Sequence, residues 1–331
     1  MQQGMLSSLL LSMSLVFGSS GAYATEMKPV TAQQWLQDEQ INTKVSELLL
    51  LVMQDEVETL RFSLQRLALP QQEVARYLLL QKIEHQNISL TPRMAIFIES
   101  QSQLVPTYQI LERGDGYEFT VPAFNFPVIA NRLLQHWKKD QNTLAFVIKA
   151  EQKELVLQEW LSGSEHQIKA REALLIRELD GLSAEAVDAL AKQLTQGLVI
   201  SWLPSTSVVV RLAQVSRDAD VYKMLWRMKA DSDSQYELQR LASEGDLFSV
   251  EQLMSATQNP SLKQQAIEKL TQLHPLPENV KEFLISRMGL AEEASMVAQE
   301  LVNQGHQRWL HELVSSNRQV KVTSIQKVLS N

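Results

Sequence analysis

The chain has 331 residues, with 31 Lys and Arg against 38 Asp and Glu for a formal charge of −7, and 44% of its residues are hydrophobic. This mild acidity excludes the basic stripe that a nucleic-acid footprint needs. The absence of cysteine excludes disulfides, CxxC redox pairs, Cys-ligated zinc and a lipidated leader.

The opening "MQQGMLSSLLLSMSLVFGSSGAYATE" carries an apolar run from Leu6 to Phe17, a Gly/Ser break and the small-x-small triplet Ala22-Tyr23-Ala24. That is the layout of a signal peptide, lacking only the positive n-region, since no Lys or Arg precedes Lys28. Residues 1–24 are therefore expected to be removed on export, leaving a periplasmic protein without a lipid anchor. The apolar run is shorter than the ~20 residues that span a bilayer, so an integral membrane protein is not expected.

Residues 25–150 are expected to form an N-terminal helical region with a β-hairpin. Val45 to Met53 is apolar on nearly all sides and predicts a buried helix. In "LPQQEVARYLLLQKIEHQ", Pro70 marks a helix start, where its missing N–H costs nothing. "YEFTV" alternates Tyr117, Phe119 and Val121 against Glu118 and Thr120 beside an Asp115-Gly116 turn, predicting a hairpin near residues 107–122. A two-stranded hairpin is marginal alone, so it is expected to pack on helices, to pair with another strand, for which Ala95 to Ile98 is a candidate, or to meet a partner. The helix after Pro127, with Ile129, Leu133, Leu134 and Trp137 on one face, is its natural support.

Residues 151–331 read as helical repeats. "GLSAEAVDALAKQL" has Ser183 as N-cap and Val187, Leu190, Ala191 and Leu194 as its stripe. Further stripes run through Leu262, Ala266, Leu270 and Leu273, then Val280, Phe283, Leu284 and Met288, and then Ala291, Ala294, Val297, Ala298, Leu301 and Val302. Trp309, Leu310, Leu313 and Val314 make another, and Val322, Ile325, Val328 and Leu329 the last. Asn259-Pro260 and Leu276-Pro277 sit where helices start, Ser234-Gln235-Tyr236-Glu237 has the form of a capping box, and Gly245, Gly289 and Gly305 sit where left-handed residues end helices.

Leucines 212, 241, 270, 301 and 329 divide this region into units of 29, 29, 31 and 28 residues, each holding two helices. "LASEGDLFSVEQL" from Leu241 and "LVNQGHQRWLHEL" from Leu301 share Leu, Gly and closing Leu without a gap. Together with "SRDADVYKMLWRM" from Ser216 and "NPSLKQQAIEKL" from Asn259, residues 212–329 resemble short HEAT-like repeats, without their regularly placed turn Asp and helix Arg. The resemblance implies an α-solenoid that serves as a binding scaffold, and it brings no catalytic residues with it. The fold expected is thus mainly α, antiparallel helix pairs stacked as a solenoid with a small hairpin insertion.

Reactive constellations are absent from the sequence. No HExxH, GxSxG, Walker-type or GxGxxG motif occurs in the mature chain, so no cofactor, metal or nucleotide is expected. Of the six histidines only His306 and His311 are close, and their i, i+5 spacing points them to different helix faces, so solvated histidines are expected. Arg113-Gly114-Asp115 reads as turn chemistry. The aromatics Tyr117, Phe119, Phe124 and Phe126, followed by Trp137, Lys138 and Lys139, are the candidate partner-binding residues, because aromatics and nearby cations are enriched in binding hot spots. The same rings could instead bury the hairpin against the helices. A non-enzymatic protein that binds a protein or cell-envelope component is the expectation. The alternative is an envelope-polymer hydrolase or lyase using paired carboxylates, for which the sequence shows no defined separation.

Overall fold

A computed structural model describes residues 25–114, 116–196 and 202–330. The expected leader, residues 1–24, and Asp115 of the hairpin turn lie outside the described residues. The chain is mainly α with one small sheet, and it divides into two compact units between Gln141 and Asn142.

The first unit opens with β1 (Thr25–Glu26), followed by α1 (Pro29–Leu36), α2 (Glu39–Met53), α3 (Val57–Gln65), α4 (Leu69–His85) and α5 (Pro92–Ser102). Then come β2 (Tyr108–Gly114), β3 (Tyr117–Pro122) and the long α6 (Phe126–Glu151), whose span includes the division. Helix starts follow local chemistry. Asp38 accepts from the Ile41 N–H at 3.0 Å, Thr91 from the Met94 N–H at 3.1 Å, and Pro29, Pro70 and Pro92 occupy first turns.

α2 packs against α4, joining Val45, Leu48 and Val52 to Leu79, Leu80 and Ile83 in one core. The apolar run from Val45 is buried on that face only. Leu50 and Met53 are 58% and 66% exposed, because the helices packed on α2 cover only part of its circumference.

The hairpin forms with a two-residue turn, since Gly114 pairs with Tyr117 and Gln109 with Pro122 in antiparallel register. Gly116 stands at φ +87°, a conformation that L side chains rarely adopt. The third strand is not Ala95–Ile98. Thr91 and Pro92 start a helix there, and Met94, Phe97, Ile98 and Gln101 line its buried stripe. Instead Thr25–Glu26 runs parallel to β2, with the Thr25 N–H donating to the Thr107 carbonyl at 2.8 Å.

The second unit contains α7 (Leu157–Trp160), α8 (Glu165–Glu178), a 3-10 turn (Leu179–Gly181), α9 (Ala184–Thr195), α10 (Thr206–Ser216) and α11 (Ala219–Leu225). It continues through α12 (Ser232–Glu244), α13 (Leu247–Ala256), α14 (Lys263–Thr271), α15 (Glu278–Met288), α16 (Ala291–Asn303), α17 (Gln307–Ser316) and α18 (Val322–Leu329). First helices of successive pairs contact one another in the order α8, α10, α12, α14, α16, α18, and second helices α9, α11, α13, α15 form a parallel series. Stacked helix pairs extend upstream of residue 212 to α8.

The repeated leucines take equivalent places. Leu212, Leu241, Leu270 and Leu301 lie in α10, α12, α14 and α16, all fully buried. Gly245 and Gly305 leave α12 and α16 at φ +63° and +83°, as a left-handed helix end requires. Gly289 does not share that role, since its φ is −73°. A side chain there would meet the Gln319 and Ser286 carbonyls at 3.1 Å, so close approach of the chain before α18 is what needs glycine. The box at α12 is set one turn earlier than Ser234, with Asp231 as N-cap and Ser234 reciprocating from N3. Pro260 stands in the turn before α14, where Asn259 donates its amide to the Trp226 and Met228 carbonyls at 2.9 and 3.0 Å.

Polar bonds tie adjacent first helices together. Ser207 donates to Asp233 at 2.5 Å and Gln214 to Glu237 at 2.6 Å between α10 and α12. Lys263 reaches Glu293 at 2.6 Å and Gln264 reaches Glu300 at 3.2 Å between α14 and α16.

Leu241→Ala should cost about 2–5 kcal/mol of stability by urea unfolding, the range for emptying a buried leucine site; a loss under about 1 kcal/mol would mean the ladder is not a close-packed core. A second test uses pH. Hydrogen bonds from Ser249, including its N–H at 2.8 Å, and the Arg217 guanidinium hold the Asp246 carboxyl down to about 2. Because the folded pKa is depressed, this contribution is full above about pH 4 and is lost as pH falls toward 2. Asp246→Ala should therefore lower the urea midpoint at pH 7, and the gap to the parent protein should close between pH 4 and pH 2.

Candidate binding surface

The hairpin is held at its root by a buried carboxylate. Glu73 on α4 accepts from the Thr107 N–H at 2.6 Å and the Tyr108 N–H at 3.3 Å, with only 3% of the residue exposed. Tyr108 and Ile110 of β2 then pack on the helical core. At the far end Arg113 pairs with Glu118 at 2.9 Å across the strands, which gives the Arg113-Gly114 pair a structural role in the turn.

The candidate aromatics separate into two groups. Phe124 and Phe126 leave the surface: they are 0% and 1% exposed, with Tyr77 6.2 Å from Phe124 and the Arg76 guanidinium 5.8 Å over Phe126. They follow β3 where the chain turns down into α6, so they pack rather than present. Tyr117 and Phe119 stand on β3 at 79% and 47% exposure. Trp137 is half-buried against the core, and Lys138 and Lys139 are exposed on α6. The sheet order is β1-β2-β3, so β3 is an edge strand whose outer backbone groups are unpaired within this sheet. An exposed edge bearing two exposed rings can accept an added strand, with the backbone supplying affinity and the rings selectivity.

In the second unit Tyr222 donates to Glu237 at 2.6 Å, Arg240 donates to both Glu237 oxygens at 2.7 and 2.9 Å, and Gln214 completes the set. Burial first, and then the Glu237 carboxylate, push the Tyr222 hydroxyl well above the usual phenol range. A cavity of about 310 Å³ brings Asp233 and Glu237 together, but the Glu237 side chain has no solvent exposure. Its charge is spent on packing between α10 and α12.

Distance in sequence hid one pair altogether. His274 and His306 stack at 4.7 Å, and the His306 Nε2 lies 2.8 Å from the Thr271 carbonyl, so His306 is half-buried rather than solvated. Among the described residues no group of three His, Asp or Glu is placed to hold a metal, and no helix is long and apolar enough to cross a membrane.

Comparison of the chain with family models, curated proteins and solved structures found no match.

If Phe124 is core and Phe119 is surface, Phe124→Ala should cost about 3–5 kcal/mol, while Phe119→Ala should stay within about 0.5 kcal/mol. Equal losses in urea unfolding would show that the exposed ring is packed after all.

Proposed function

We propose that the chain is an exported, non-enzymatic binding protein that works as a scaffold, with helical repeats of the HEAT-like kind forming its body. In this reading the leader ending at Ala24 directs it to the periplasm, and the partner is a protein or cell-envelope component. The observation that carries the reading is the open edge of β3, with Tyr117 and Phe119 exposed on a strand whose root is clamped by buried Glu73. A rigidly rooted edge costs little ordering on association, which favours strand addition over loose adhesion. The helix pairs support the scaffold reading, because stacked repeats build extended surfaces.

The test is affinity purification of the tagged chain from cross-linked periplasm, beside a version with residues 113–121 replaced by a short turn. A partner captured by the intact protein and lost with the hairpin is the expected result. Equal capture by both forms would overturn the hairpin as the binding element.

A further inference from the structure

The cavity between the C-terminal ends of α11 and α13 has a lining unlike the rest of this acidic chain. It measures about 420 Å³, within the size range of small-molecule sites, and is lined by Lys223, Arg227, Lys229, Trp226, Ser255 and Gln258 among others. No Asp or Glu lines it. The three cations make no ion pair or side-chain hydrogen bond among the described residues, although 38 carboxylates are present in the sequence. Lys223 and Arg227 also border a neighbouring cavity that Asp220 lines, but neither forms an ion pair with Asp220 among the described residues.

Cations often gather at helix C-termini to serve the last carbonyls. Here most of those carbonyls already have donors. Tyr222, Met224 and Leu225 accept from the N–H groups of Trp226, Arg227 and Met228, while Trp226 and Met228 accept from the Asn259 amide. None of the three cations makes a side-chain bond to these carbonyls.

A second observation points the same way. Ser255 and Gln258, whose hydroxyl and amide make no side-chain bond among the described residues, line the same cavity, and together with the three uncommitted cations they call for acceptors of negative charge.

We propose that this cavity binds a small oxyanion carrying two or more negative charges, of the polycarboxylate or phosphate-ester class. Lys223, Arg227 and Lys229 would neutralise it, with Arg227 offering a planar fork to a carboxylate or phosphate. The site does not depend on the hairpin reading, since all its residues belong to the second unit.

The test is isothermal titration calorimetry of the full chain at low ionic strength with citrate, with glycerol 2-phosphate, and with acetate as the singly charged control. Saturable one-to-one binding of at least one dianionic or trianionic probe is expected, weakening as NaCl is added. Binding of citrate alone would assign the polycarboxylate class, and of glycerol 2-phosphate alone the phosphate-ester class. Arg227→Gln should weaken binding about tenfold, as loss of a charged hydrogen bond does. The proposal is overturned if neither probe binds more tightly than acetate, or if Arg227→Gln and Lys223→Gln, with unchanged circular dichroism, both bind as the parent does.

Discussion

No helix pair in the second unit can bury its own apolar face, and most of its architecture follows from that constraint. A pair of short helices covers one side of each member, so Leu212, Leu241, Leu270 and Leu301 reach zero exposure only because the next pair stacks on them. Burying a leucine contributes about 1.5–3 kcal/mol, against about 1–2 kcal/mol per residue to fix the backbone. The balance favours order only when neighbours share a core. Left-handed glycines at 245 and 305 then keep the turns short enough for neighbours to meet.

Polar chemistry supplies registry where leucines supply cohesion. Apolar faces can slide, whereas Gln214 meets Glu237, and Lys263 meets Glu293, in only one alignment of adjacent helices. Buried Glu237 would be costly if unpaired, but Tyr222, Arg240 and Gln214 surround it with donors. In the first unit Glu73 has the same character, fastening β2 to α4 through two backbone N–H groups. Both carboxylates turn a burial penalty into a positional constraint.

Local features were legible in the sequence and long-range ones were not. The hairpin was written into alternation and an Asp-Gly turn, and the matched segments from Leu241 and Leu301 do occupy equivalent helix pairs. Strand β1 was hidden because two residues carry no periodicity, and their pairing with Tyr108 and Gln109 is more than eighty positions away. Ala95–Ile98 misled because a short apolar run suits strand and helix alike, and the N-cap at Thr91 decides between them. Glu237 looked like a capping residue until Tyr222 and Gln214, on two other helices, were seen to converge on it. The cationic cavity was invisible for the same reason, since the loop at Asn259 closes it from a different pair.

The central claim is that stability in the second unit passes from pair to pair. Hydrogen exchange read by mass spectrometry on Leu270→Ala tests it most directly. Nearest-neighbour coupling predicts that protection falls most in α14, clearly in α12 and α16, and progressively less toward α8. An equal loss from α8 to α18, or a loss confined to α14 alone, would contradict the account.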